Sequence, residues 1–397
     1  LTAEPTPGTG RITEDLLPWP PQRAGDIAAR YLPHWGDARV VRVSLADGRT
    51  SWLATGHAEV RSVLSGRHFA VRASPLHRND DAAVIRASRI LRLDGAEHRR
   101  VRSAVAKALD GRRHTFRPLT EAAVERHLDL VRHRGGPVDL VAGFALAVPL
   151  QVVSELLGLP SRDRERFYDN GTAELMRIGI SAGNANERAQ AALDYLAEVV
   201  DARYRVPQDD LISDLVTGSE LTAEEIAEQG VALLMAGYEA PAGMISKGAV
   251  ELAADAELRA ALTGDDPGLR AGAVEELLRH VTIVQYGIDR VATEDVMLGG
   301  RRIRRGESVI ALLAAANHDP ALSAAPEKMN AHCPVRGHVA FGHGPHHCLG
   351  PELSRIMVET SLSRLFTEFP ALRVVENDNR ERDEYVMGGH LRLWVTW

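Results

Sequence analysis

From Thr222 the chain reads Thr-Ala-Glu-Glu and then stays apolar and alanine-rich to about Ala254. Thr222 with Glu225 three positions on is a capping box, which starts a helix. At 1.5 Å per residue the run is ~48 Å long. A helix of that length crosses a whole domain, so every other element has to be packed around it. Its middle reads Ala236-Gly237-Tyr238-Glu239-Ala240-Pro241. Pro241 deprives the Gly237 carbonyl of its donor and predicts a kink. Glu239 is an acid inside an apolar run, serving either chemistry or a structural partner.

The chain is long enough for a large core: 397 residues, 45% hydrophobic and 25% charged. Such a length alone suggests two or three domains. Yet no linker or repeat supports a split, so one domain over 1–397 is expected, with 1–14 as a flexible arm. A net charge of -7 argues against nucleic acid as a partner. Residues 1–20 are polar and proline-rich, with no signal-peptide core and no span of ~20 apolar residues. A soluble cytoplasmic protein with no membrane partner is the expectation. Two cysteines make no disulfide framework and fit a reducing compartment.

Among shorter elements, Val40–Leu45 and Ser51–Thr55 read as strands joined around Asp47-Gly48, and Val296–Leu298 with Arg301–Ile303 as a hairpin turning at Gly299-Gly300. His57–Leu64 reads as a helix. The segment from Val138 to Pro160 reads as one buried helix ending at Gly158, and Glu187–Tyr204 as another. Phe69–Ile90 and Met176–Asn186 lose periodicity and read as irregular, the second as a lid connection. Leu353, Ile356, Met357 and Thr360 form an i, i+3, i+4, i+7 stripe of a buried helix.

The chemistry concentrates in Phe341-Gly342-His343-Gly344-Pro345-His346-His347-Cys348-Leu349-Gly350, just before that helix. A thiolate needs a compact pocket and fixed positive charge, which backbone N–H groups and a helix N-terminus supply. Glycines at 342, 344 and 350 allow the backbone to approach a flat ligand closely. Zinc is an alternative, since five histidines and both cysteines lie between His332 and Cys348, but no C-x(2-4)-C pair is present. An inert buried cysteine is the other.

The run resembles the heme-binding loop of the cytochrome P-450 family, F-x-x-G-x-H-x-C-x-G, at Phe341, Gly344, His346, Cys348 and Gly350. Four further motifs follow in the family's order. Asp94, Glu97, His98 and Arg102 match D-x-x-E-H-x-x-x-R; the resemblance makes His98 and Arg102, four apart on one helix face, propionate ligands. Arg290 resembles the family's second propionate arginine. Gly237, Glu239 and Ala240 fall on A-G-x-[E/D]-T, with Ala240 where the family has a proton-organising threonine. Glu276 and Arg279 match E-x-x-R. Aligning Asn317-His318-Asp319-Pro320 with N-R-D-P puts Cys333 where a third arginine is expected. Either Arg336 replaces that arginine or the network is smaller.

The resemblance implies a mainly α fold, a helical prism with a small β-rich lobe. It also implies heme b (iron protoporphyrin IX) held by Cys348, with dioxygen and electrons from NAD(P)H through ferredoxin and its reductase. A thiolate trans to dioxygen favours heterolysis of the O–O bond. The implied enzyme is a bacterial monooxygenase of small molecules, monomeric, in natural-product biosynthesis. Without Thr at 240, a water on the Gly237 carbonyl, Glu239 or a substrate hydroxyl would relay protons. Val284–Ile288 and Val386–His390 would lie near substrate. A basic surface of Arg99, Arg100, Lys107, Arg112 and Arg113 would steer an acidic donor. Oxidative aromatic coupling is the alternative reaction, and a catalytically silent activator of another enzyme the alternative class.

Overall fold

The capping box forms as the spacing requires. In the computed structural model the Thr222 hydroxyl accepts the Glu225 N–H at 3.2 Å, and the Glu225 carboxylate accepts the Thr222 N–H at 3.0 Å. Residues 39–44, 50–71, 82–163, 185–287, 289–375, 378–381 and 387–397 are described by the structure. The arm at 1–14, the Asp47-Gly48 turn and residues 176–184 lie outside them, as do residues 72–81 of the first irregular stretch and residues 288 and 386 of the two substrate-side segments.

The described helices of at least five residues are α1 (His57–Leu64), α2 (Ala82–Ala87), α3 (Gly95–Gly111), α4 (Arg113–Arg134), α5 (Ala147–Leu156), α6 (Ala185–Arg205), α7 (Leu211–Gly218), α8 (Ala223–Ala254), α9 (Ala256–Thr263), α10 (Pro267–Val281), α11 (Leu313–Asn317) and α12 (Pro351–Glu368). The strands are β1 (Val40–Ser44), β2 (Thr50–Ala54), β3 (Phe69–Ala70), β4 (Val138–Asp139), β5 (Arg290–Ala292), β6 (Val296–Leu298), β7 (Arg301–Ile303), β8 (Ser308–Ala311), β9 (Arg373–Val374), β10 (Arg380–Glu381), β11 (His390–Arg392) and β12 (Trp394–Thr396). The fold is mainly α with small sheets. Among the described residues no helix is long and apolar enough to cross a membrane.

Two compact units emerge. One comprises Leu1–His77, Glu275–Met329 and Pro334–Cys348; the other Arg78–Val274, Asn330–Cys333 and Leu349–Trp397. The first unit is built on a five-stranded sheet in the order β1-β2-β8-β5-β3, with β1 antiparallel and β8 parallel to β2. Val60, Val63 and Leu64 of α1 pack on this sheet through Val40, Ala54, Val309 and Ala311. β6 and β7 pair around Gly299 and Gly300, whose φ values of 51° and 74° are those a tight hairpin needs.

The second unit is organised on α8, against which α5, α6 and α12 pack. From Glu225 to Ala249 the helix is buried except at Ala232, Leu233, Ala236, Gly237 and Ala240. It continues through Pro241 without ending. The segment from Val138 is not one helix as its apolar content suggested. Val138–Asp139 pairs with β12, a π-helical turn covers Val141–Ala145, and only Ala147–Leu156 is α. Strand pairing with a distant partner, which periodicity cannot register, decides this. Likewise the end of Phe69–Ile90 is ordered, as α2 and a 3₁₀ turn at Arg89–Leu91. Arg86 and Arg89 both reach Glu228, 2% exposed, and Arg100 pairs with Glu225, tying α2 and α3 to the start of α8.

Candidate active site

The cysteine loop closes on itself. The Cys348 N–H donates to the Phe341 carbonyl at 2.9 Å, His347 N–H to Gly344 O at 3.0 Å, and Gly342 N–H to Val339 O at 2.8 Å. Between them a 3₁₀ turn spans Gly344–His346. Gly344 has φ +73°, and a Cβ there would lie 2.4 Å from the Leu64 carbonyl oxygen at the end of α1. Only glycine satisfies both the dihedral and the approach. Cys348 is a free, half-buried thiol. Phe341 has the His338 and His347 rings 6.4 and 6.5 Å from its own. His338 in turn meets the Glu275 carboxylate at 3.1 Å. Burial first, then Arg61, His347 and His57, keep His343 below the ordinary imidazole range.

The E-x-x-R pair is the buried anchor beneath this loop's unit. Arg279, 0% exposed, makes a fork to Glu276 at 3.1 and 2.9 Å and donates to the carbonyls of Asn317, Pro326 and Lys328 at 3.2, 2.7 and 2.6 Å. No third arginine joins from position 336, which is exposed and has no ion-pair partner among the described residues. Cys333 is exposed too. Instead the Val335 N–H donates to Glu276 Oε1 at 2.9 Å. A backbone donor has no residue signature, so nothing in the sequence could have named it. His318 stands where the family pattern has arginine; its Nδ1 meets the Ala314 carbonyl at 2.9 Å and its Nε2 faces His280 Nδ1 at 3.4 Å. Arg290, 2% exposed, lies on β5 in the same unit.

In the other unit, His98 (2% exposed) and Arg102 (half-buried) share a face of α3. Leu233, Ala236, Gly237 and Ala240 form a single i, i+3, i+4, i+7 stripe on α8, the part of its central turns left open. The stripe is uncharged and lacks a hydroxyl. Glu239 lies off it, 0% exposed, with the Tyr238 hydroxyl at 3.4 Å. Gly237 is also a packing position, since a Cβ would come within 2.9 Å of Val153. Gly350, the N-cap of α12, has nothing within 4 Å of where a Cβ would be.

The expected basic surface is largely neutralised. Besides Arg100, Arg112 pairs with Asp209 and Asp214, and Arg113 with Asp110 and Glu352. Arg99 and Lys107 are exposed without an ion-pair partner among the described residues.

A bare glycine backbone beside a free thiol suits a flat ligand with a soft metal, and buried His98 and Arg290 suit its carboxylates. Comparison with known proteins agrees. The family model described as Cytochrome P450 matches residues 269–388. Nocardicin C N-oxygenase of Nocardia uniformis subsp. tsuyamanensis is 36% identical over 383 residues, covering 94% of this chain and 96% of that protein. Mycinamicin IV hydroxylase/epoxidase of Micromonospora griseorubida is 35% identical, with coverages of 94% and 96%. The crystal structure of mycinamicin VIII C21 methyl hydroxylase from the same organism, bound to mycinamicin VIII, superposes with a TM-score of 0.84 at 32% identity over 98% of both chains. The relatives are bacterial oxygenases and hydroxylases of secondary metabolism, and the chain belongs to the cytochrome P450 family as a bacterial monooxygenase.

Proposed function

We propose that Cys348 is the axial ligand of heme b and that the protein oxygenates a small natural-product molecule. The observation carrying this is the loop itself: a free thiol whose backbone N–H is tied to Phe341, flanked by glycines at 342, 344 and 350. When bound, thiolate-ligated heme iron supplies the activation of dioxygen. His98, Arg102 and Arg290 hold the propionates, desolvated cations whose partners must be anions. Gly344 and His346 set the turn that presents the sulfur, and Gly350 leaves the backbone bare at the start of α12.

On the other side of the chemistry, α8 presents the open stripe of Leu233, Ala236, Gly237 and Ala240 to substrate. It binds by apolar contact and excludes bulk water. Ala240 can neither hold nor pass a proton at its Cβ. Proton transfer is therefore assigned to a water on the Gly237 carbonyl, to Glu239, or to a hydroxyl that the substrate carries. Electrons come from NAD(P)H through ferredoxin and its reductase, and Arg99 and Lys107 are the exposed cations of α3 for an acidic donor.

The test is spectroscopic. Reduced, carbon monoxide-bound protein is expected to show the red-shifted Soret band of thiolate ligation, and Cys348→Ser to lose it. A histidine-type spectrum in the wild type sinks the assignment. Incubation with isotope-labelled dioxygen then separates oxygenation, which labels the product, from oxidative aromatic coupling, which leaves it unlabelled.

A further inference from the structure

Beyond Ala240 the open stripe stops because a backbone lies on it. Gly389, just before β11, has φ +123°, and a Cβ on it would sit 2.8 Å from the Gly243 Cα of α8. A contact this close needs glycine on the strand side. One hydroxyl fastens it. Ser246, 0% exposed, donates to the Gly243 carbonyl at 3.0 Å, accepts the His390 N–H at 3.3 Å and faces His390 Nδ1 at 3.3 Å. A second tie lies beside the first: Lys247 Nζ meets Glu381 Oε2 of β10 at 2.7 Å, and Glu381 Oε1 lies 3.8 Å from His390 Nε2. Lys247 and His390 are 7% and 6% exposed. Four polar side chains are thus buried on one turn of the helix and one strand pair.

A polar cluster of this kind is costly unless its groups are paired, and once paired it admits one register. The register determines where the stripe ends. From Leu233 to Ala240 it is about 10 Å long at the helical rise, and its next positions, Gly243 and Lys247, are covered by Gly389 and tied to Glu381. We propose that the Gly243–Gly389 contact, locked by Ser246 and His390, sets the length of apolar substrate that can lie along α8. Ser246 and His390 are positioning residues, acting through the backbone of Gly389. The inference rests on the stripe facing substrate beside the heme, as argued above.

The test uses the heme-loaded enzyme and N-alkylimidazoles from methyl to dodecyl, with affinity read from the Soret shift. In the wild type, affinity is expected to rise about fourfold per methylene up to one chain length and to fall beyond it. Ser246→Ala and His390→Leu should move that break to longer chains. His390→Asn, which keeps an N–H near the Nδ1 position, should leave it in place. If Ser246→Ala fails to load heme, Gly389→Ala strains the same contact from the strand side and carries the same expectation. A break that stays put in every variant, or no break in the wild type, overturns the proposal. A wild type whose Soret band no alkylimidazole shifts overturns the heme reading instead.

Discussion

Replacing Glu276 by glutamine tests the buried anchor directly. The carboxylate and Arg279 are 1% and 0% exposed, so neither charge has water to fall back on. Glu276→Gln keeps the volume but removes the negative charge. It leaves a guanidinium still bound to three carbonyls, and it weakens the acceptor of the Val335 N–H at 2.9 Å. Breaking one partner of such a pair costs about 3–5 kcal/mol. At roughly 2 °C per kcal/mol for a chain of this size, the melting temperature should fall by about 6–10 °C. The companion variant is Cys333→Arg, which installs the arginine of the family pattern. Position 333 is exposed and Glu276 already has the Val335 N–H, so the expected change is within about 0.5 kcal/mol. Both are read by thermal unfolding followed by circular dichroism. An unshifted Glu276→Gln refutes the buried pair, and a Cys333→Arg several degrees more stable refutes the backbone replacement.

Acid should unfold the protein through two histidines. Burial, then His318 and Arg279, push His280 down to about 3, and burial, then Lys247, push His390 down to about 3. The folded state holds both neutral while the unfolded chain takes protons below about 6.5, so stability is full above that pH and falls as pH drops towards 3. The slope is up to about 1.4 kcal/mol per pH unit for each; His280→Gln should flatten the melting-temperature profile between pH 6 and 4, and an equally steep variant refutes the assignment. Gly337 and Gly344 share positive φ values of 83° and 73°, but only Gly344 is hemmed by backbone. Gly337→Ala should cost about 1–2 kcal/mol, and Gly344→Ala more, with loss of heme retention on gel filtration. Ala240→Thr restores the hydroxyl at the open stripe and should raise product formed per reducing equivalent; unchanged coupling with a substrate lacking hydroxyls counts against Ala240 as the limiting position.

Segments whose conformation is decided by neighbours in the chain were legible in the residues alone. The Thr222–Glu225 capping box, the Gly299-Gly300 hairpin and the stripe of α12 each need only a few adjacent positions, because a cap, a turn and a helical period are local geometry. The cysteine loop was legible for the same reason, with its ligand, glycines and aromatic within ten positions. Tertiary structure alone decided the contacts that close over distance. Val335 reaches Glu276 from 59 positions away, and His390 reaches Ser246 from 144. Val138 becomes a strand because β12 lies beside it. In each case the partner is a backbone group or a residue of ordinary type, so burial and register, which only the folded chain possesses, settle where the charge is satisfied and where the open stripe of α8 ends.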